Sequence, residues 1–192
     1  CIAHEINQTT DNKLTVKPAE GLINMFNKES VNKKINKVEI ENYEGEKSYV
    51  IDGMKDTCMI EAVIEFSEGV RSFGIGLRQD SALANGYYLR FEPFYNRIVA
   101  DMWPRRIRGV NQWYVDGDKP FMVELERPFD YKALEENKVN IKVFVEGNII
   151  CLYVNDTVAL PMRAYSTERK YWGFFVKDGS IRVCDIHMYE TK

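Results

Sequence analysis

VNIKVFVEGNIICLYVNDTVAL is the sequence of residues 139–160, and it decides the fold class. Valine or isoleucine occupies every second position before Gly147, and apolar residues alternate again from Ile150 to Val154. Alternation with a period of two is typical of a strand with one buried face, and a glycine between two such runs indicates a hairpin turn. The stretch therefore predicts two antiparallel strands joined by a Glu-Gly-Asn turn.

Similar short runs recur along the chain. In TCMIEAVIEF (57–66), Ile60, Ala62, Ile64 and Phe66 are predicted to face inward. Residues 130–138 are expected to hold one helical turn. Further strands are predicted at 38–40, 48–51, 71–78, 86–92, 97–103, 120–126, 171–177 and 181–188. Many short strands separated by Gly, Asn and Asp turns indicate one all-β domain, a two-sheet antiparallel sandwich.

The length and composition are those of an ordinary globular protein. The chain has 192 residues, 45% of them hydrophobic, and a net charge of −3. This balance gives no general attraction to nucleic acid or to an anionic membrane. No apolar run approaches the ~20 residues that span a bilayer, and the sequence shows no signal peptide. The polar residues 1–20 are interpreted as a linker or leader, and residues 21–192 as a single domain.

Cysteine and histidine give little support for a metal site. Three cysteines lie in strand-like runs, where free Cys behaves as a small hydrophobe, with a disulfide or a zinc site as the alternatives. The residues concerned are Cys58, Cys151 and Cys184. With only His4 and His187 in the chain, a histidine-based metal site or catalytic triad is poorly supported. Cys1 is either the lipid-bearing residue of a processed lipoprotein or the product of trimming a larger protein.

The segment 71–103 carries the candidate binding surface. Its strands place apolar residues inward and a second set outward: Gly74, Gly76, Arg78, Tyr88, Arg90, Glu92, Arg97, Asp101 and Trp103. Opposed residues of an antiparallel pair share a face. The turn PFYN then predicts Glu92 opposite Arg97 and Tyr88 opposite Asp101, with the two glycines beside Arg90 and Tyr88.

This outward face suits a neutral polyhydroxylated ligand. Glycines within a strand mark a close approach, and here they predict a shallow trough. Arginines and carboxylates hydrogen-bond to vicinal hydroxyls, and an aromatic ring packs on an apolar sugar edge. The predicted ligand-binding residues are Arg78, Tyr88, Arg90, Glu92, Asp101 and Trp103, and Glu124 and Glu126 are placed to join them.

The outward residues and the neighbouring loops also have other interpretations. Outward Arg and Glu on adjacent strands are usually solvated cross-strand pairs, and the glycines can simply relieve sheet curvature. The 104–118 loop holds three arginines and Trp113, which is weak evidence for nucleic acid. Asp80 and Asn85 in the 78–86 loop offer oxygen ligands for a structural calcium ion, without the dense spacing of a dedicated site. No other cofactor is predicted.

Four stretches together resemble one family. They are NGYYLRFEPFYNRIVADMWPR (85–105), PFMVELERP (120–128), VFVEGNIICLYVNDTVALPMRAY (143–165) and WGFFVKDGSIRVCDI (172–186). The sequence resembles the C-terminal β-sandwich domain of glycoside hydrolase family 32, the invertases, levanases and related β-fructosidases. It is also similar to the fructan-binding modules related to that domain. The resemblance covers roughly residues 57–190, and its most specific part is the strand–VEG–strand–VND segment.

The resemblance implies a concanavalin-like jelly roll without catalytic residues. In whole enzymes of the family this domain follows a five-bladed propeller that carries the catalytic Asn-Asp-Pro-Asn, Arg-Asp-Pro and Glu-Cys motifs. None of the three motifs occurs in this sequence, and 192 residues leave no room for a propeller beside the sandwich. The resemblance therefore implies a non-catalytic domain whose partner is a propeller of the same polypeptide.

The sequence is compatible with three functions. The first is a carbohydrate-binding module for fructan, such as levan or inulin, or for a terminal fructosyl unit. The second is a structural domain that only packs against a propeller and stabilises it. The third is a small jelly-roll hydrolase or lyase using Glu92 or Asp101. The first is preferred, with an extracellular or cell-surface location expected and a cytoplasmic one as the alternative.

Overall fold

The computed structural model describes residues 2–29, 35, 37–81, 86–102, 125–164, 168 and 170–191. The described residues are almost all β, as predicted. One helix, α1, covers Glu20–Ile23, and short 3-10 turns cover Pro93–Tyr95 and Tyr131–Ala133. The strands are β1 His4–Gln8, β2 Leu14–Pro18, β3 Phe26–Glu29, β4 Lys37–Ile51, β5 Thr57–Phe66, β6 Ser72–Gln79, β7 Tyr87–Glu92, β8 Arg97–Met102, β9 Glu126–Pro128, β10 Lys138–Glu146, β11 Ile149–Val154, β12 Val158–Arg163 and β13 Tyr171–Thr191.

The strands form two packed sheets that share their longest members. The first sheet runs β12-β11-β10-β5-β13, and the second continues β13-β6-β7-β8-β9. β13 pairs with β6 through Tyr171–Lys177 and with β5 through Ile181–Tyr189, and β4 follows it in both halves. Between the halves the register shifts at Lys177/Gly179, where Asp178 has φ +50°. A bulge of this kind lets one strand bend from one sheet into the other.

The core lies between the sheets and contains the residues predicted to face inward. Val143, Ile150 and Leu152 of the first sheet belong to the same buried cluster as Ile75 and Leu89 of the second. All five have no measurable exposed surface. The alternation of the sequence therefore identified the inner faces of both sheets.

The hairpin of residues 139–160 forms as predicted. β10 and β11 are antiparallel, with Val145 opposite Ile150 and Glu146 opposite Ile149. Gly147 closes the turn at φ +55°, a left-handed conformation that glycine adopts without a steric penalty. Its N–H donates to the Asp56 carbonyl at 2.9 Å, which ties the turn to the start of β5.

Two pairs of predicted strands merge in the structure. Residues 38–40 and 48–51 belong to the single strand β4, and 171–177 and 181–188 to the single strand β13. The intervening NYEGE and KDGS have turn-forming residues, but they form the bend between the sheets instead of ending the strands. Gly45 N–H donates to Asp178 Oδ1 at 2.8 Å across this bend. β12, which sequence reasoning did not predict, pairs with β11 through residues 158–163.

The N-terminal segment covers the outer face of the first sheet. Residues 1–20 are expected to be a linker, but within them β1 and β2 form an antiparallel hairpin, and α1 begins at Glu20. Val16 and Phe26 pack with the outward side chains of β10 and β11 in a second hydrophobic cluster, which includes Phe144, Cys151 and Tyr153. The Tyr153 hydroxyl lies 2.6 Å from His4 Nδ1. The segment therefore shields an apolar patch of the sheet from water.

The described cysteines are free thiols. Cys58 and Cys151 are buried, and Cys184 is partly exposed. Burial raises the pKa of Cys58 to about 12 and that of Cys151 to about 11. Both thiols therefore serve as packing groups, as predicted, and Cys1 lies outside the described residues.

Candidate functional site

The predicted register of the candidate face is confirmed. β7 and β8 place Glu92 opposite Arg97 and Tyr88 opposite Asp101. β6 and β7 place Gly74 opposite Arg90 and Gly76 opposite Tyr88. These residues therefore lie on the outer face of the second sheet, with the core on the opposite side.

Five charged side chains on this face form an ion-pair network across three strands. The Arg90 guanidinium lies 3.2 Å from Glu92 Oε1 through Nε and 3.2 Å from Asp101 Oδ2 through Nη2. Arg97 Nε lies 2.6 Å from Glu92 Oε2, and Arg97 Nη1 lies 3.0 Å from Glu126 Oε1. The order from one end to the other is Asp101, Arg90, Glu92, Arg97, Glu126. Because the charges alternate, each side chain holds its neighbour in place.

The Asp101 end of the network is buried, and the Arg97 and Glu126 end is the most exposed. The side chain of Asp101 is 1% exposed, Glu92 11%, Arg90 15%, and Arg97 and Glu126 29% each. Burial lowers the pKa of Arg97, but the hydrogen bonds and charges of Glu92 and Glu126 outweigh it and leave that pKa raised. Asp101 is thus the anchored end, and Arg97 and Glu126 form the end that a ligand can reach.

The glycine trough predicted beside the network is filled by the protein's own side chains. Phe175 of β13 and Tyr88 of β7 flank β6, yet their rings meet at 5.0 Å and 74°. Strands two places apart are separated by about 9–10 Å, so the rings meet over Gly74 and Gly76, which have no side chains to separate them. A Cβ at Gly76 would overlap Nε2 of Gln79, which is 2% exposed. The glycines accommodate packing, and Tyr88 is buried at 1% exposure.

Arg78 lies away from the other predicted site residues. Its φ of +50° interrupts the alternation of β6, so its side chain does not follow the outward row of Gly74 and Gly76. The guanidinium is 1% exposed and donates to Asp56 Oδ1 at 2.9 Å and to the Gly147 carbonyl at 2.9 Å. Arg78 therefore connects the second sheet to the hairpin turn of the first, where a sugar on the outer face does not reach it.

The remaining predicted residues divide into two groups. Trp103 and Glu124 lie outside the described residues, as do Asn85 and the 104–118 loop. Glu126 joins the network as predicted. Arg97 was placed on this face by its register but left out of the predicted site, although it contacts two carboxylates. Its position opposite Glu92 was the signal that it belongs there.

The described part of the chain contains neither a metal-binding cluster nor a membrane-spanning helix. No group of three or more His, Cys, Asp or Glu side chains there is arranged to hold a metal ion. Within the same residues, no helix has the length and hydropathy needed to cross a membrane.

Sequence comparison identifies the family. The family described as glycosyl hydrolases family 32 C terminal matches residues 23–190. The chain belongs to this family. No curated protein sequence matches this chain.

Solved structures share the fold of this family 32 domain at low sequence identity. The carbohydrate-binding module CBM66 from Bacillus subtilis has 11% identity and a TM-score of 0.55, covering 98% of this chain and 92% of that one. An exo-inulinase from Aspergillus awamori has 13% identity and a TM-score of 0.61, covering 100% and 35%. A fructosyltransferase from A. japonicus has 12% identity and a TM-score of 0.64, covering 98% and 31%. The domain spans about a third of each of these two enzymes.

Proposed function

We propose that the domain is a non-catalytic accessory module of a glycoside hydrolase that binds fructan, such as levan or inulin, or a terminal fructosyl unit. The ion-pair network on the outer face of the second sheet carries this proposal. Family membership and the fold shared with a carbohydrate-binding module support it.

The network has the chemistry of a sugar-binding surface. It presents guanidinium donors and carboxylate acceptors side by side, and adjacent hydroxyls of a sugar ring need both kinds of group. Its three carboxylates and two guanidiniums leave only one net negative charge, which favours a neutral ligand over an anionic one. The mutual ion pairs fix the side chains before binding, so little conformational entropy is lost when the ligand binds.

Burial assigns different roles to the proposed site residues. Arg90, Glu92, Arg97 and Glu126 offer their exposed atoms to hydroxyls, while Asp101 positions Arg90 from below. Tyr88 supports the sheet beneath them through its contact with Phe175. Trp103 and Glu124 keep their proposed roles as aromatic platform and additional acceptor. Arg78 is assigned to the structural connection described above.

The arrangement of the carboxylates favours binding over hydrolysis. A glycosidase needs two carboxyl groups on either side of one scissile bond. Glu92, Asp101 and Glu126 instead lie along one face of one sheet, and each lies against a guanidinium. A polymeric ligand would place the working domain outside the cell, which fits the proposed extracellular or cell-surface location.

Calorimetry with levan, inulin and fructose tests the proposal. Arg90→Ala and Arg97→Gln are each expected to weaken binding about tenfold or more, because each change removes a charge-assisted donor. Arg182→Ala is the matched control, since Arg182 also lies between two carboxylates, Glu39 and Glu65, but on another surface. Urea unfolding of each variant checks that the fold is retained. Equal binding by wild type and both network variants would exclude this site.

A structural role is the second candidate, and the long strand β4 favours it. Among the described residues β4 pairs with β13 alone, and it exposes Tyr43 at 64%, Tyr49 at 42% and Val50 at 37%. Exposed apolar side chains along one strand are typical of a surface that packs against another domain. Absence of retention on every polysaccharide, together with a raised melting temperature of an attached catalytic domain, would favour this role.

A further inference from the structure

A separate groove opens at the end of the sandwich, beside the turn that joins β7 to β8. Its volume is about 690 Å³, in the range of pockets that hold small organic ligands. Phe66, Val70 and Tyr131, all less than 10% exposed, form its floor. The ring of Phe66 stacks on Phe73 and meets the edge of Tyr131, so the floor is part of the rigid core.

Two aromatic rings stand at the rim with most of their surface in water. Phe94 is 83% exposed and Tyr95 61%, and their rings are perpendicular with centroids 5.1 Å apart. The turn is rigid, because Pro93 begins it and Asn96 closes it in the left-handed conformation with a bond to the Pro93 carbonyl. Exposing an aromatic pair on a fixed turn is costly unless a partner covers it.

The other groups around the groove are polar and of both charges. Arg71 and Glu68 lie on the 67–71 turn, and Lys132 and Asn137 also line the groove. The 67–71 turn is fixed by the bond from Ser67 N–H to the Ser180 carbonyl at 2.9 Å. Mixed charges select against a strongly charged ligand, and hydrogen-bonding groups around aromatic faces suit a neutral polyhydroxylated one.

We infer that this groove is a second carbohydrate site, which holds an internal segment of a neutral oligosaccharide. The faces of Phe94 and Tyr95 pack on the C–H faces of the sugar rings, and Arg71, Lys132 and Asn137 bind hydroxyls. The groove uses no side chain of the ion-pair network, although the Arg97 guanidinium lies 5.1 Å above the Tyr95 ring. Two sites on one domain raise the affinity for a polymer but not for a monosaccharide.

Affinity electrophoresis through gels containing inulin, levan, xylan or laminarin tests this site. Phe94→Ala/Tyr95→Ala is expected to weaken polymer retention about tenfold. The single change Phe94→Ala, which keeps the contact between Tyr95 and Arg97, is expected to weaken polymer retention and to leave fructose binding unchanged. Tyr43→Ala/Tyr49→Ala, which removes two exposed rings from β4, is the matched control and is expected to behave as wild type. A direct readout is the proton chemical shift of the Phe94 and Tyr95 rings during titration with an oligosaccharide of the best-retained polymer.

The outcomes separate the two sites. Retention weakened in both Phe94→Ala/Tyr95→Ala and Arg90→Ala supports both sites, and retention weakened in Phe94→Ala/Tyr95→Ala alone supports the groove and counts against the network. Retention lost only in Arg90→Ala excludes the groove and leaves the proposed function intact. Unchanged ring shifts at saturating oligosaccharide also overturn the groove proposal.

Discussion

The backbone conformation of Arg78 determines what the outer face can hold. Its left-handed φ directs its own side chain to the Gly147 carbonyl, and it brings the side chain of Gln79 over Gly76. Regular alternation would place Arg78 on the outer face and leave the glycines open. The polar groups offered to a ligand are therefore those of the ion-pair network on β7, β8 and β9, and not groups around Gly74 and Gly76 of β6.

Alanine at Gly74 and alanine at Gly76 are expected to reduce stability by different amounts. A Cβ at Gly74 would overlap the Leu89 carbonyl oxygen, so Gly74→Ala must push two paired strands apart. A Cβ at Gly76 meets only the end of the Gln79 side chain, which can move. We expect Gly74→Ala to lower the free energy of unfolding by about 1–3 kcal/mol and Gly76→Ala by less. Gly21→Ala, with open space around it, is the control for urea unfolding. A larger loss at Gly76 than at Gly74 would contradict this order.

Arg78 is expected to contribute more to stability than its partner Asp56 does. Arg78→Met removes the donor to the Gly147 carbonyl and one of the two donors to the Asp56 carbonyl, which keeps the Gly147 N–H, at an expected loss of about 1–3 kcal/mol in the free energy of unfolding. Asp56→Asn removes only a charge that is 78% exposed, so its loss should be under about 1 kcal/mol. Urea unfolding of both variants measures the difference. Equal losses would show that the ion pair, and not the carbonyl bonds, dominates.

The same contact predicts a pH dependence. The hydrogen bond from Arg78 lowers the pKa of Asp56, and the nearby positive charge adds to the effect. Because the folded-state pKa lies below the unfolded one, the stabilisation is present above the unfolded pKa and is lost as the pH falls through the folded pKa. In Arg78→Met we expect the Asp56 pKa to rise toward its ordinary value, measured by NMR titration of the carboxyl. An unchanged pKa would show that Arg78 does not hold the carboxylate in solution.

Sequence reasoning identified those features of the strands that alternation and turn length determine. The inner residues of β5 to β8, and the pairing of Glu92 with Arg97, follow from a period of two and a short turn. It did not identify the bend of β13, because KDGS looks like a turn whether the strand ends or changes sheet. The conformation of Arg78 likewise leaves no mark, since its left-handed φ depends on tertiary contacts.

Sequence reasoning did not predict that the N-terminal segment covers the first sheet, and the reason is different. Its own apolar residues are sparse, and Ile6 and Leu14 remain mostly exposed at 68% and 69%. The signal lay in the sheet beneath it, where Phe144 and Tyr153 occupy outward positions that would otherwise face water. Apolar residues on both faces of a strand indicate that both faces are covered.

Removal of this cover should expose one buried cysteine more than another. Cys151 belongs to the outer cluster under the N-terminal segment, whereas Cys58 belongs to the core between the sheets. A chain beginning at residue 23, where the family match begins, loses Ile2, Val16 and Leu22 from the outer cluster. We expect its Cys151 to react with a thiol reagent many times faster than in the full chain, measured in variants that keep a single cysteine.

Cys58 serves as the internal control for that experiment. General destabilisation would accelerate both thiols by the same factor, so the ratio of the two rates isolates the local effect. An unchanged ratio would show that the N-terminal segment does not shield this face in solution.

The two sheets share strands and should unfold together. β13 and β4 run through both sheets, and Asp178 Oδ1 accepts the Gly45 N–H where the two strands bend. Neither sheet can therefore lose its strand pairing without disrupting the other. Cooperative unfolding of this kind is usual for a single domain of this size.

A destabilising substitution in one sheet should consequently make the other sheet open more often. Ile60 lies in the first sheet and Ile75 in the second, and both are fully buried. Each Ile→Val change is expected to lower the free energy of unfolding by about 0.5–1.5 kcal/mol, with an unchanged dependence on urea.

Cys58, in the first sheet, reacts with a thiol reagent only when the core opens, since burial raises its pKa to about 12. If opening is global, Ile75→Val accelerates Cys58 labelling by the factor that its stability loss dictates, about fivefold per kcal/mol. Labelling that responds to Ile60→Val but not to Ile75→Val would instead show that each sheet opens independently and that the shared strands do not couple them.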